Sequence, residues 1–392
     1  MESPAQFILT IGSILLLGLF TSTIARRTFL PRVTLLLIFG VIIGHQGFNL
    51  IPHVFAERFD IVADMTLLMV GFLLGEKLTK ATLKESGAQI LWISLCAALA
   101  TTSLVHLGLM LFGFSIEISI ILGCIAAATA PAAILDVVNE SNYKGKFSNL
   151  LLSIVAIDDI WALILFAVGI SLVKTLNGTN TGDVFFIYVA LKEIGGALLL
   201  GIVIGLPAAF LTGRVKKGQP ILSEALGIVF ICGGLALWLD VSYLIASMVM
   251  GAVVANLAKH HEYPFHAIKG IESTFMVVFF VLAGVSLELS SLRDLGLISV
   301  VYIICRSLGK YLGSHLGSQI SHADNLTKHW MGIALLPQAG VAIGMALVAS
   351  NQFPEYRQIL LSTVISSTIF FEIIGPIFTR LAIKKASVKN TP

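Results

Sequence analysis

The sequence predicts an all-α, polytopic membrane protein with about thirteen transmembrane helices. Three observations predict it. Hydrophobic residues make up 57% of the 392 and charged ones only 12%, which leaves too little polar surface to coat a soluble globule of that length. The apolar runs, ~17–28 residues each, can cross a ~30 Å hydrocarbon core as helices and are too long and too uniformly apolar for barrel strands. Lysines and arginines gather on alternate connections, as the positive-inside rule requires when the helices have been divided correctly.

In chain order, the first run (6–25) has no basic residues before it, and Arg26 and Arg27 follow it, which suits an uncleaved first helix entering with its N-terminus outside. Runs at 33–50, 59–76 and 87–112 supply the second to fourth spans. The fifth (116–138) is rich in small residues and contains Pro131; the sixth (147–173) carries two adjacent aspartates. A seventh run covers 184–211. The eighth and ninth (220–239 and 241–258) are separated only by a very short connection around Asp240. The tenth covers 267–287, the eleventh (294–314) holds Arg306 and Lys310, the twelfth (329–350) holds Pro337, and the last covers 357–383.

With this division, 18 of the 25 Lys and Arg fall on one side, among them Arg26, Arg27, Lys144, Lys216, Lys328 and Lys384. The other side receives only Arg58, Lys174, Arg293 and Arg357. The expectation is a multi-pass protein of the cell (inner or plasma) membrane, N-terminus outside and C-terminus cytoplasmic. The net charge of +3 then serves topology and anionic lipid headgroups, not nucleic acid. Cys96, Cys124, Cys232 and Cys305 lie in apolar spans without metal-ligand spacing and read as small packing residues. No nucleotide motif or cofactor motif is visible, and the chain does not read as an enzyme.

Asp158 and Asp159 sit near the middle of the apolar run 150–173. A single carboxylate at that depth costs at least ~2.5–3.5 kcal/mol, and two neighbours also repel each other, so an ion or proton pathway is the default explanation. The fifth and twelfth runs share a pattern: each is a small-residue span interrupted near its centre by a proline, Pro131 in GCIAAATAPAAILDVV and Pro337 in MGIALLPQAGVAIGMALV. Proline removes a backbone donor and clashes with the preceding turn, so each span is expected to break there. Odd and even numbers of crossings precede the two, so they run in opposite directions. Broken helices in matching positions of inverted halves mark a transporter site near the midplane. The alternative is that proline kinks each helix while glycine and alanine permit close packing.

A buried aspartate pair needs a positive partner. Lys310 suits that role, flanked by Gly309 and Gly313, whose missing side chains allow another helix backbone to approach. Arg306 lies one turn earlier on a similar face and is a candidate funnel residue, as are Glu272 and Glu372. Snorkelling toward the headgroups is the alternative for both cations. Successive helical residues point ~100° apart, so the two aspartates cannot address one partner in the same way. One can be neutralised by Lys310 while the other exchanges ligands. The histidines at 260, 261, 266, 315, 322 and 329 read mainly as solvated loop residues.

TAPAAILDVV (Thr129–Val138), AIDDIWALILF (Ala156–Phe166) and LGKYLG (Leu308–Gly313), in that order and on those helices, resemble the monovalent cation:proton antiporters, in the Asp-Asp branch with the NhaA-like and NapA-like sodium/proton exchangers. The resemblance covers nearly the whole chain. It implies a transmembrane antiporter domain over 1–386 with a short tail at 387–392. Within it, a core (about 87–173 and 294–383) would bear two crossed, broken helices. A dimerisation panel (about 6–76 and 220–287) and a linker helix (184–211) would complete a homodimer's protomer. It implies that Asp159 is the main cation and proton carboxylate, that Asp158 pairs with Lys310, and that Thr129 lies at the unwound crossing. Trp161 departs from the smaller aliphatic residue expected there, which bears on ion preference and cavity size.

On this reading proton and sodium (or lithium) compete for Asp159, and a site that reorients only when occupied by one of them exchanges them. Carboxylate, carbonyl and water oxygens match such hard ions. If Lys310 also releases a proton when Asp158 takes one, the cycle moves two protons per sodium. A potassium/proton exchanger or a cation channel on the same scaffold is the near alternative. An intramembrane aspartyl protease is the distant one, because neighbouring aspartates on one helix diverge while that chemistry needs two carboxylates facing a shared water.

Overall fold

Fifteen α-helices form among the described residues, and the thirteen apolar runs account for all of them, since eleven runs hold one helix and two hold a pair. The computed structural model describes residues 4–28, 30–44, 47–48, 50–51, 59–141, 145–176, 183–212, 221–260, 262–286, 296–338 and 340–387. Arg58, Lys144, Arg214, Lys216, Lys217, His261, Arg293 and the tail from 388 lie outside them. The helices are α1 (Pro4–Arg27), α2 (Arg32–Ile43), α3 (Phe59–Gly75), α4 (Lys80–Leu111), α5 (Ile116–Ile125), α6 (Pro131–Glu140), α7 (Lys146–Leu176) and α8 (Asp183–Thr212). They continue as α9 (Ile221–Trp238), α10 (Tyr243–Leu257), α11 (Glu262–Ser286), α12 (Leu297–Ile320), α13 (Asn325–Ala334), α14 (Gly340–Gln352) and α15 (Arg357–Ser387). Among the described residues, seven helices are long and apolar enough to cross a membrane by length and composition.

The chain divides into two compact units, residues 1–85 with 192–287 and residues 86–191 with 288–392. In the first, α10 packs on α3 and α11 on α2 and α3. Small residues allow this: a Cβ at Gly75 would meet the Ala252 nitrogen at 2.6 Å, and one at Gly40 would meet the Gly284 Cα at 2.9 Å. Phe72 stacks on Phe265 with ring centroids 4.4 Å apart. Asn256 caps the start of α4, accepting from the Lys80 N–H at 2.7 Å and donating to the Leu78 carbonyl at 3.0 Å. The short connection at Asp240 is real: Asp240 takes the left-handed conformation, φ 51°, and the Ser242 hydroxyl caps α10 by accepting from the Ile245 N–H.

In the second unit the core joins α4, α5, α7, α14 and α15 through buried residues such as Val105, Ile121, Phe166, Met345 and Val364. The fifth run is two helices, α5 and α6, separated by an unwound segment at 126–130. Pro131 is the first residue of α6, where its missing N–H costs no hydrogen bond and its fixed φ suits the helix. The twelfth run is likewise α13 and α14, with Pro337 inside the unwound segment. Helix α12, in the eleventh run, continues six residues past the expected end, to Ile320, because its polar C-terminal turns are packed against protein. A Cβ at Gly317 would meet the Ile93 Cα at 2.6 Å, and His315 Nδ1 lies 3.0 Å from the Lys328 carbonyl. His315 is therefore a helix residue, not a loop residue.

Candidate ion-binding site

Proximity begins with glycine. Gly309, Gly313 and Gly317 follow one another at four-residue steps on α12, and a Cβ at Gly309 would meet the Thr101 nitrogen of α4 at 3.1 Å, one at Gly313 the Ala97 Cα at 2.7 Å. On the other side of α12, a Cβ at Gly332 of α13 would meet the Lys310 carbonyl at 2.6 Å. The helix is thus held backbone-close on two sides, and the adjoining stripe of Tyr302, Arg306 and Lys310 is completely buried.

Lys310 Nζ donates to the Asp158 carboxylate at 2.6 Å, to the Ala127 carbonyl at 2.6 Å and to the Thr129 hydroxyl at 2.8 Å. Thr129 in turn donates to the same Asp158 oxygen. All three donors of the ammonium are satisfied, which is what makes a fully desolvated charge tolerable. Lys310 does not snorkel.

Asp159 is 5% exposed and stands apart from this network. Neither of its carboxylate oxygens has a hydrogen-bond partner among the described residues, and Asp158 keeps one oxygen without a partner as well. Of the two neighbours, one is fully engaged by a lysine and the other is left with its acceptors unused, as the ~100° between adjacent side chains dictates. Three unengaged carboxylate oxygens on neighbouring residues, one of them on the aspartate that Thr129 of the unwound segment contacts, are suited to a hard monovalent cation or to a proton.

The two unwound segments touch: the Ala130 N–H donates to the Pro337 carbonyl at 3.0 Å. Arg306 is not at the rim of a funnel. It is 0% exposed, and its guanidinium donates to carbonyls of both segments, Ala126 at 3.1 Å and Ala128 at 2.8 Å on one, Leu336 at 2.7 Å and Pro337 at 3.4 Å on the other. The freed carbonyls explain the difference, because broken helix ends offer acceptors that must be satisfied when buried. Glu372 lies half-buried on α15 in this unit, while Glu272 is buried on α11 in the other. Trp161, one turn beyond Asp158, donates from Nε1 to the Ser94 hydroxyl of α4 at 3.1 Å.

Several participants carry no mark in the sequence. Backbone carbonyls at 126–128 have none, and Gln338, completely buried with its amide donating to the Tyr302 hydroxyl at 2.9 Å, was signalled only by adjacency to Pro337. Phe371, whose ring centroid is 4.3 Å from the Arg306 guanidinium carbon, reads in sequence as one more apolar residue of the last span.

Comparison with known proteins places this geometry in a family. The family model described as "Sodium/hydrogen exchanger, transmembrane" matches residues 12–384. The chain is 23% identical to the Na(+)/H(+) antiporter of Enterococcus hirae, over 96% of this chain and 98% of that one. It is 20% identical to the ammonium/H(+) antiporter subunit AmhT of Alkalihalophilus pseudofirmus, over 97% and 96%. The fold matches that of the sodium proton antiporter MjNhaP1 from Methanocaldococcus jannaschii with a TM-score of 0.77 at 18% identity, covering 99% of this chain and 98% of the other. A match over nearly the whole length, together with a buried Asp-Asp pair beside two broken helices, has one reading: this chain is a multi-pass membrane transporter of the sodium/hydrogen exchanger family.

Proposed function

We propose that the protein exchanges sodium or lithium for protons across the cell membrane, with both ligands competing for Asp159. The observation that carries this is the division of labour between neighbours: Lys310 neutralises Asp158, and Asp159 is buried with both oxygens unengaged. A carboxylate in that position is tolerated in the membrane when a proton or a cation compensates it, which makes the two ligands mutually exclusive. Thr129 and the second oxygen of Asp158 are assigned to the cation's surroundings. Glu372 and Glu272 are assigned to the aqueous approaches.

The N-terminus lies outside and the C-terminus in the cytoplasm, following the distribution of Lys and Arg. A homodimer follows from family resemblance. The names of the relatives favour sodium, and one relative's name favours ammonium, so the cation is the variable to test. Purified protein in liposomes with an imposed pH gradient should dissipate that gradient on a pulse of sodium or lithium, with potassium and ammonium giving less. A response to potassium or ammonium alone would replace the cation in the proposal. Current without linked proton movement would replace exchange with a channel.

A further inference from the structure

The unwound segment at 126–130 presents its oxygens to α12 in alternation. The Ala126 and Ala128 carbonyls meet Arg306, and the Ala127 carbonyl and the Thr129 hydroxyl meet Lys310 one turn further along. The segment starts as a turn, with Ala126 in the helical region and the Ala127 and Ala128 N–H groups donating back to the Cys124 and Ile125 carbonyls, so its own carbonyls have no partner further along the helix and are shared between the two cations. Arg306 also reaches the other break through the Leu336 and Pro337 carbonyls, and the Phe371 ring closes its remaining face. One side chain thus hydrogen-bonds both unwound segments.

Three features suit an arginine to this place. Its planar fork carries five donors, enough to bind carbonyls from two strands at once, whereas the ammonium of a lysine radiates from a single point. Helices α5 and α13 both end at the breaks, and each C-terminus brings about half an elementary negative charge. A guanidinium is also not deprotonated in proteins, so it holds the same contacts whatever the proton traffic at its neighbours.

We propose that Arg306 is a positioning residue for exchange. By fixing the alternate carbonyls of 126 and 128, it turns the Ala127 carbonyl and Thr129 toward Lys310. Lys310 is thereby kept on Asp158, and Asp159 is kept as the exchangeable carboxylate. A residue that merely stabilised the fold would change how many molecules are folded. A positioning residue changes the affinity of each folded one.

The test uses the full-length protein carrying Arg306→Lys or Arg306→Gln, purified as the folded monodisperse fraction and compared per molecule with wild type. Phe371→Leu, which removes only the ring over the guanidinium, covers the case in which neither arginine variant folds. Amide deuterium uptake should rise at least about tenfold in rate over residues 126–130 and 335–338 in the arginine variants, and by a smaller factor in Phe371→Leu, with α9 and α10 unchanged. In liposomes, half-saturation by sodium should rise about tenfold or more while the maximal rate changes less, and lysine should not restore it. Uptake within twofold of wild type overturns the proposal, whatever transport does. Half-saturation within twofold in active variants also overturns it. The transport arm rests on the exchange reading above, and the two failures separate cleanly: a silent wild type removes exchange and leaves the uptake measurement to decide the role of Arg306.

Discussion

Asp159 and Lys310 differ in what their removal leaves behind. Asp159→Asn deletes a buried charge without breaking any hydrogen bond to a described residue, since neither oxygen has a partner. Sodium-driven proton movement should therefore fall to the level of empty liposomes, while the melting temperature stays equal or rises, because a neutral amide is cheaper than a carboxylate at that depth. Retained exchange would remove Asp159 from the carrier role. Lys310→Ala is the opposite case. It strands Asp158 in a fully buried position and orphans the Ala127 carbonyl, so it should cost about 3–5 kcal/mol, read as a large drop in melting temperature. Adding Asp158→Asn to that variant should recover part of the loss, and additive losses would show that the two side chains are not coupled.

At the scale of elements, α12 is held by what it lacks. A Cβ at Gly313 would sit 2.7 Å from the Ala97 Cα and 2.8 Å from the Ala100 Cβ, so Gly313→Val must push α12 off α4 or distort both. The expected cost is about 1–3 kcal/mol, with a parallel loss of exchange because Lys310 rides on the displaced helix. Gly227→Ala on α9 is the control: its Cβ meets nothing within 4 Å, so the thermal midpoint should be unchanged or slightly higher. Equal effects of the two substitutions would show that helix propensity, not packing, governs these positions.

The same elements show what the sequence made legible. Length and hydropathy located every run, and Gly309 and Gly313 announced a close helix contact around Lys310, because those signals are local. Charge economy called for Lys310 to neutralise one of the two aspartates, and only the family resemblance singled out Asp158. Pro131 signalled a break but sits just after it, as the first residue of α6, because helix-starting and helix-breaking prolines look alike in sequence. The environment of Arg306 was not legible. Its acceptors are main-chain carbonyls 180, 178, 30 and 31 residues away, and any residue type can supply a carbonyl.

For the whole molecule, charge compensation gives the proposed exchanger its coupling. Lys310 answers Asp158, and Arg306 answers the carbonyl ends of two broken helices. Asp159 remains, and moving it through the membrane uncompensated costs at least ~2.5–3.5 kcal/mol, a factor of ~100 in population. A core that reorients with a proton or a cation on Asp159, and not empty, converts one gradient into the other. The kinetic signature is competition at a single site. As external and internal pH are lowered together, half-saturation by sodium should rise, approaching about tenfold per pH unit in the acid limb, while the rate at saturating sodium stays constant. Protonation at a separate regulatory group, such as a cytoplasmic histidine, would instead lower the saturating rate and leave half-saturation in place. Radiolabelled sodium uptake into liposomes, measured over several sodium concentrations at each pH, distinguishes the two patterns. A falling plateau at constant half-saturation would show that proton and cation do not share Asp159, and the charge argument for coupling would then have to be rebuilt around a second titrating group.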